Sequence, residues 1–287
     1  MSFIDEITDF LTGHDISCRH ETVSGIRALS VHIGNGKTRY ILPVAVRASS
    51  IDEAETAAAE IRNLTSHLTD ISESYPLMIT EDRWYSQKSM IQKRLLAHLE
   101  RFVQIYARNC EVRKIDKLTA AGFLSENHSY GDASCRYRYG LFLKRHTGHN
   151  AGSGQVPEGT LVAVATFSNA RKWIKGDRSI RSYEWTRYAS LPEVRLSGGM
   201  GKILNAFIDD VQPDDIMTYA DLEWSEGKVY ETLGFTLEGF KEPVMFSVDK
   251  EIWKRQAMSS PDIVSPDRVC FQNFGSNKYR MKLTEYQ

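Results

Sequence analysis

The segment from residue 187 to residue 235 most constrains the fold, because it reads as strand, glycine turn, helix, strand and helix in that order. The turn is Arg195-Leu-Ser-Gly-Gly-Met-Gly-Lys202, and the segment closes with Tyr230-Glu-Thr-Leu-Gly-Phe235. After the turn, apolar residues recur with the spacing of an amphipathic helix, at Ile203, Leu204, Phe207, Ile208 and Val211. This alternation predicts an α/β sheet, in which strand ends and helix starts meet at one edge and bind ligands.

The boundaries of these elements follow from local signals. We predict a strand near 185–191, a helix from about Met200 to Val211, and a short buried strand over 216–220. Ser225 is predicted to cap a second helix over 226–233, and Gly234 to end that helix in the left-handed conformation.

The glycine turn has the composition of a phosphate-binding loop. Gly198, Gly199 and Gly201 remove three Cβ atoms where a strand meets a helix, so backbone N–H groups can approach a pyrophosphate at the helix N-terminus. Arg195 and Lys202 flank the turn and are candidates for charge-assisted contacts to phosphate oxygens. A glycine-rich connection without a ligand explains the same residues. The turn matches neither the P-loop nor the dinucleotide-binding motif.

These residues resemble the GNAT superfamily of N-acetyltransferases. In that family a strand exposes its backbone to the pantetheine arm, a Q/R-x-x-G-x-G/A turn holds the pyrophosphate, and a later tyrosine acts as general acid toward the departing thiolate. Tyr230 matches this tyrosine, whereas Met200 stands where the turn pattern, counted from Arg195, has Gly or Ala. The resemblance implies acetyl-CoA or another acyl-CoA as cofactor, bound by Arg195, Ser197, Gly198, Gly199, Gly201 and Lys202.

A narrower resemblance covers residues from about 105 to 280. Six successive blocks look like those of a phage and bacterial group with a GNAT-like core, of which the Mom DNA-modification protein of phage Mu is a distant relative. The blocks are residues 123–131, 161–167, 183–188, 198–199, 219–227 and 275–279. This resemblance implies a link to phages and to DNA modification.

Several polar residues are candidates for proton transfer. Asp221 and Glu223 directly follow the predicted strand 216–220, where a base for an amine acceptor is wanted, although Asp221 could instead anchor the turn. His128 follows a short apolar helix predicted over 120–124 and is either a base, a substrate ligand or a helix cap. Glu184 and Arg187 stand three apart on a strand, so we expect them on opposite faces and not as a pair.

The charge of the chain gives nucleic acid no overall attraction, since the net charge is −1 and the isoelectric point is about 6.7. Two stretches, 136–145 and 171–178, nevertheless interleave cations with aromatic residues, as single-stranded nucleic-acid grooves do. Ordinary half-exposed strands explain the same pattern, so both readings stay open.

Other classes of site have little support in the sequence. The four cysteines have no short spacing, which argues against a zinc cluster or a redox C-x-x-C pair. His146 and His149 fall in a glycine-rich stretch that we predict to be a solvated hairpin loop. No signal peptide and no apolar run near 18 residues is present, so we expect a cytoplasmic protein with reduced thiols and no membrane partner.

The first hundred residues are predicted to form a separate α/β unit. We expect a helix over 3–11, a hairpin through Asn35-Gly36, a helix capped by Ser50 and running to Leu68, a strand over 77–80 and a helix over 86–99. Glu81 and Asp82 are expected at a helix N-terminus. They belong to an E-D-x-W-x-x-x-K stretch, ending at Lys88, that resembles the segment before the core in the phage group.

Together these features predict an α+β chain: a small N-terminal α/β domain over 1–104, then a GNAT-like mixed sheet flanked by helices over 105–287. The leading hypothesis is an acyl-CoA-dependent N-acyltransferase acting on a small-molecule or macromolecular amine. Tyr230 would be the acid, and Asp221, Glu223 or His128 would relay the amine proton. The alternatives are a Mom-like protein that binds or modifies nucleic acid, and a GNAT-like domain without catalysis.

Overall fold

The computed structural model describes residues 2–145, 156–258 and 265–285. The predicted loop around His146 and His149 lies outside the described residues. Within these ranges the chain forms seven α-helices: α1 (Phe3–Thr12), α2 (Ile51–Ser72), α3 (Glu81–Ser86), α4 (Lys88–His98), α5 (Lys117–Asn127), α6 (Gly199–Val211) and α7 (Lys228–Thr232).

The same ranges contain 17 strands, numbered in chain order. They are β1 (Arg19–Val23), β2 (Ile26–His32), β3 (Thr38–Val44), β4 (Leu77–Thr80), β5 (Val103–Tyr106), β6 (Cys110–Lys114), β7 (Tyr137–Leu143), β8 (Leu161–Phe167), β9 (Arg171–Lys175), β10 (Arg178–Ser190), β11 (Val194–Ser197), β12 (Asp215–Asp221), β13 (Thr236–Lys241), β14 (Met245–Asp249), β15 (Arg255–Ala257), β16 (Arg268–Gln272) and β17 (Ser276–Lys282).

The chain divides into two compact units that are discontinuous in sequence. The first consists of Met1–Glu100, Ala220–Glu226 and Phe240–Ser276. The second consists of Arg101–Tyr219, Gly227–Gly239 and Asn277–Gln287. A division into domains at residue 104 stays a prediction.

The first unit combines a four-stranded sheet with helices. Its strands lie in the order β1-β2-β3-β4, and β3 and β4 are parallel while the other pairs are antiparallel. Helix α2 begins after Ser50, whose Oγ accepts a hydrogen bond from the Glu53 N–H, as predicted. Its buried face consists of Ala54, Ala58, Ile61, Leu64, Thr65 and Leu68. A three-stranded sheet, β15-β14-β16, completes this unit.

The second unit is built on a mixed sheet of eight strands. The order is β13-β17-β12-β10-β8-β7-β6, with β9 paired to β10. Strands β10 and β12 are parallel, whereas β6, β7, β8 and β10 pair antiparallel. Helices flank the sheet, which confirms the predicted α+β class.

Each face of this sheet is covered by a different helix. On one face, Phe207 of α6 stacks on Phe167 of β8, with 3.9 Å between ring centroids. On the other, Ala120 and Leu124 of α5 pack in one apolar cluster with Val164 and Ala189. Helix α5 is longer than the predicted 120–124, because Asp116 caps it by accepting a hydrogen bond from the Thr119 N–H at 2.8 Å.

The predicted order of elements around the glycine turn is confirmed, with two differences. Strand β11 was not predicted; it pairs in parallel with β5 just before the turn. Helix α7 begins after Gly227, at a φ of 92°, and not after Ser225. The N–H of Ser225 donates to the Asp221 carbonyl instead, as part of a turn. Gly234 has the predicted left-handed backbone, with φ of 91°.

Candidate functional site

Two parallel strands part in the middle of the large sheet. Strands β10 and β12 are paired from Ser182–Asp215 to Glu184–Met217, and their ladder then ends. At the next position Thr218 donates its hydroxyl to the Trp185 carbonyl, at 3.1 Å. Strand β10 continues to Ser190 beside β8 alone. The sheet therefore has an opening between β10 and β12, in which backbone groups of β10 have no ladder partner on the β12 side among the described residues.

A bulge in β10 lies at the start of this opening. Trp185 is opposite Phe167 and Arg187 is opposite Thr166, so Thr186 is an extra residue. The extra residue shifts the alternation of side chains, which brings Glu184 and Arg187 to the same face of the sheet. The expectation that these two residues lie on opposite faces was wrong, because it assumed a regular strand.

Tyr230 packs against Trp185, which lies where β10 and β12 separate, and against Tyr279 of β17. Its ring is 6.0 Å from that of Trp185 and 5.5 Å from that of Tyr279, between centroids. Burial raises the pKa of the Tyr230 phenol, and a hydrogen bond with the Thr218 hydroxyl lowers it in part. The phenol therefore stays protonated at neutral pH, as a proton donor to a thiolate must.

The glycine turn leaves the N-terminus of α6 without a side-chain cap. Gly198 is the N-cap residue, with φ of 76°, and it is exposed. A Cβ on Gly199 would lie 2.5 Å from Leu196 Cγ and 3.2 Å from Tyr188 Oη, and one on Gly201 would lie 3.2 Å from Leu233 Cδ2. Close packing thus requires glycine at 199 and favours it at 201, while Gly198 provides the conformation that exposes the helix end.

The side chains that flank the turn have different environments. The Lys202 ammonium donates to the carbonyls of Ala107 and Cys110, at 2.9 and 2.6 Å. A phosphate contact by Lys202 would have to replace these two bonds. Arg195 is exposed, with its guanidinium 5.2 Å from the Phe102 ring, and is the more accessible cation. The Ser197 hydroxyl accepts a hydrogen bond from the side-chain amide of Gln104, at 3.0 Å.

His128 ends helix α5. Its N–H donates to the Leu124 carbonyl at 2.9 Å, and its Nδ1 accepts from the Tyr130 N–H at 3.1 Å. Because Nδ1 accepts a hydrogen bond, the neutral ring carries its proton on Nε2. These contacts describe a helix cap, and a role in proton transfer stays a prediction.

Asp221 and Glu223 belong to the first unit and have unlike environments. Glu223 accepts from Arg83 Nε at 2.9 Å and from Arg255 Nη1 at 2.6 Å, and its side chain is 2% exposed. Burial alone would raise the pKa of Glu223, but the guanidinium groups of Arg255 and Arg83 hold it below its usual range. Glu223 is therefore a bound counter-ion, and its use as a base would require release from both arginines.

The two carboxylate oxygens of Asp221 differ in their contacts. Its Oδ1 accepts from the Glu223 N–H at 3.0 Å, which is the turn-anchoring contact considered above. Its Oδ2 is buried and has no hydrogen-bond partner among the described residues. Burial, and next the charge of Glu223, raise the pKa of Asp221 to about 6. Asp221 is the better suited of the two carboxylates to exchange a proton near neutral pH.

The ionic cluster around Glu223 was not predicted from the sequence. Arg255 also pairs with Asp82, and its Nη2 to Asp82 Oδ1 distance is 3.0 Å. Helix α3 begins at Glu81, so the acidic pair Glu81 and Asp82 does occupy a helix N-terminus. Both carboxylates are nevertheless buried in ion pairs, Glu81 with Arg47 and Asp82 with Arg255.

The described part of the chain contains neither a metal-binding cluster nor a membrane-spanning helix. Within it, no group of three or more His, Cys, Asp or Glu side chains is arranged to hold a metal ion. None of the described helices combines the length and the apolar character needed to cross a membrane.

No known family model matches the chain, and no curated protein matches it. Solved structures give loose likenesses. A chain of the NatC complex bound to Gag peptide and CoA is 12% identical, with 61% of this chain and 99% of that chain covered and a TM-score of 0.35. A GNAT-family acetyltransferase from Bacillus anthracis is 13% identical, with 61% of this chain and 95% of that chain covered and a TM-score of 0.31. A spermidine N-acetyltransferase chimera from Vibrio cholerae and hSSAT is 13% identical, with 61% of this chain and 96% of that chain covered and a TM-score of 0.35.

Proposed function

We propose that the chain is an acyl-CoA-dependent N-acyltransferase that acylates an amine. The observation that carries this proposal is the opening between β10 and residues 218–219 of β12, which belong to the second unit, as does the uncapped N-terminus of α6. An opening between parallel strands suits an extended, amide-bearing ligand, because such a ligand can bond to exposed strand backbone as an added strand does. The pantetheine arm of CoA is a ligand of this kind.

The helix end suits the other half of the same cofactor. The N–H groups of the first turn of α6 and the helix dipole favour an anion, and the exposed Arg195 adds a positive charge beside them. A pyrophosphate needs such a site. Gly198 is the residue at which a side chain would meet the bound phosphates first.

The chemistry requires one acid and one base. The neutral amine nitrogen attacks the thioester carbonyl, the new C–N bond forms, and the C–S bond breaks. The Tyr230 phenol gives its proton to the departing thiolate, and the proton released by the nitrogen passes to a base and restores the phenol. Asp221, Glu223 and His128 remain the candidates for that base.

Titration calorimetry with acetyl-CoA tests the cofactor. The variant Gly198→Asp adds a negative charge at the helix end, while Gly198→Asn adds a neutral side chain of the same shape that tolerates the left-handed backbone. We expect micromolar binding that falls about tenfold or more in the aspartate variant, and much less in the asparagine variant. Equal binding by the two variants would contradict phosphate binding at this turn.

A second measurement tests the acid. Tyr230→Phe keeps the ring against Trp185 and removes only the hydroxyl. We expect a loss of turnover of about 100-fold or more with acetyl-CoA binding retained, since general acid catalysis contributes about that much. Intact turnover would show that another group protonates the thiolate.

The nucleic-acid alternative has one observation in its favour. The β9–β10 hairpin exposes Arg171 and Lys172 together with Trp173, which is 42% exposed. A tryptophan beside cations can stack on an unpaired base. In contrast, β7 buries Tyr139, Leu141 and Leu143 in the sheet. A chain that binds no acetyl-CoA, and binds single-stranded DNA with a steep salt dependence lost in Trp173→Ala, would favour this alternative.

A further inference from the structure

The second unit carries a row of polar side chains on the face of the sheet that α5 covers. Arg138 of β7 is opposite Thr166 of β8, and Thr166 is opposite Arg187 of β10. Because directly opposed residues share a face, the two arginines flank a fully buried threonine. The bulge adds Glu184 to the same face, at the last residue before β10 and β12 part. The row therefore borders the opening that is proposed to hold the pantetheine arm, which ends in the thioester.

The segment that follows α5, residues 128–136, is bound to this row at two points. Arg187 Nε donates to the Gly131 carbonyl at 3.2 Å. Arg138 Nη2 donates to the Cys135 carbonyl at 2.8 Å. Asp132 lies between the two attachment points in sequence. Its charge interacts with that of Arg187 and with the Cys135 thiol, which also interacts with Arg138.

Three buried polar atoms in this cluster make no hydrogen bond to any part of the chain that the structure describes: Asp132 Oδ1, Arg138 Nε and Thr166 Oγ1. The hydroxyl of Thr166 can either donate or accept. A buried polar atom without a partner is costly and rare, so each one needs an explanation, such as a bound ligand. Asp132 Oδ1 accepts hydrogen bonds and Arg138 Nε donates them, so a group that bonds to both must offer a donor and an acceptor.

The charges around the row point to the same kind of group. Asp132 and Glu184 balance Arg138 and Arg187, and the charges of Asp132 and Glu184 both act on Arg187. A cluster with balanced charges favours neither a simple cation nor a simple anion. It suits a ligand whose positive and negative ends lie close together.

We infer that this cluster is the acceptor subsite, and that the acceptor is a primary amine whose nitrogen-bearing carbon is bonded to a carbonyl or carboxylate carbon. The inference rests on the proposed function. The ammonium group of the acceptor pairs with Asp132 Oδ1, and the oxygen accepts from Arg138 Nε. A free α-amino acid, its amide and the N-terminus of a peptide all have this chemistry.

In the reaction the bound ammonium first loses one proton to solvent. Its nitrogen then forms the amide bond as the C–S bond breaks, and the second proton balances the one taken by the thiolate. No oxidant, reductant or metal enters this step.

The test compares acceptors that differ only near the amine. CoA release from acetyl-CoA is measured with ethylamine, glycine, glycinamide and glycylglycine. We expect kcat/KM for at least one of the last three to exceed that for ethylamine by about 10- to 100-fold, as a hydrogen bond to a charged group predicts. Comparing kcat/KM for glycine with kcat/KM for glycinamide and glycylglycine distinguishes a free amino acid from a peptide N-terminus as the acceptor.

Two variants connect this preference to the cluster. Arg138→Gln should remove the preference over ethylamine by raising KM for the oxygen-bearing acceptors, and Asp132→Asn should raise KM for every amine. The matched controls are Arg145→Gln and Asp209→Asn, because both side chains are exposed in the second unit and lie outside the segment 128–136. Each control should leave the rates and the preference unchanged.

The outcomes separate this inference from the proposed function. Acetyl-CoA binding that persists in all four variants shows that they are folded and that the cofactor site is intact. If the wild-type chain binds acetyl-CoA but uses ethylamine as well as it uses glycine, glycinamide and glycylglycine, the acceptor inference fails alone. It also fails alone if Arg138→Gln keeps the preference. If the wild-type chain does not bind acetyl-CoA, both fail.

Discussion

Replacing Glu223 with glutamine should destabilise the first unit far more than the same change at an exposed ion pair. Glu223 bridges Arg83 and Arg255, and the exposed fractions of the three side chains are 2%, 6% and 10%. Glutamine keeps the size but removes the negative charge, so two buried guanidinium groups lose a counter-ion. Breaking a buried ion pair from one side costs about 3–5 kcal/mol in free energy of unfolding.

Glu238 provides a matched control in the second unit. It also bridges two cations, Arg280 and Lys278, at 2.7 Å each, but its side chain is 37% exposed. Water screens an exposed pair, so Glu238→Gln should cost no more than about 1 kcal/mol. The two changes are chemically identical, and burial is the main difference between them.

The loss in free energy of unfolding can be measured for both variants by urea unfolding, combined with hydrogen exchange resolved by peptide. The peptides report the opening of each unit separately. The effect at Glu223 should persist in high salt, whereas the effect at Glu238 should shrink. Since the folded pKa of Glu223 is lowered, its stabilisation is present above the unfolded pKa of about 4.3 and is lost as the pH falls further. Equal costs for the two variants would refute the argument from burial.

Three further predictions concern other positions. Asp221→Asn should raise the melting temperature above that of the wild type at neutral pH but not below about pH 4. The raised pKa of Asp221 makes a stabilising contribution that is present in acid and lost as the pH rises through about 6. The same difference in melting temperature from the wild type at both pH values would contradict this. Ser50→Ala should cost about 1 kcal/mol in urea unfolding, since it removes the cap of α2; no change would mean that the cap is unimportant. Gly275→Ala should cost about 2–5 kcal/mol, because its φ is 78° and a Cβ would overlap the Phe240 ring, whereas Gly239→Ala meets nothing within 4 Å and should be nearly neutral. Similar melting temperatures for the two alanine variants would refute the steric argument.

Elements with a strong local signal were predictable. Helix α2 has both a capping serine and a regular apolar face, and α6 has a glycine turn followed by helical spacing. Strand β1 was missed because its side chains are polar and mostly exposed, so no apolar alternation marks it. The start of α7 was misplaced, because the Ser225 N–H bonds to Asp221 in a turn that sequence spacing does not reveal.

The site was predictable only where it depends on neighbours in the chain. The glycine turn and Tyr230 could be recognised from short motifs. The single extra residue in β10 could not, and it decides which face Arg187 occupies. The partners of Glu223 are also beyond local pattern, since Arg83 is 140 residues away and pairing at that distance depends on the tertiary fold.

The discontinuous path of the chain limits how it can be cut. A fragment ending at residue 104 would contain Asp82 and Arg83 but neither Arg255 nor Glu223, which neutralise them in the folded chain. Such a fragment would have to bury two unmatched charges or leave α3 undocked, so we expect it to be insoluble or partly unfolded. Joining residues 220–226 and 240–276 to it through short linkers would restore the counter-ions, which makes this unit a candidate for assembly from pieces.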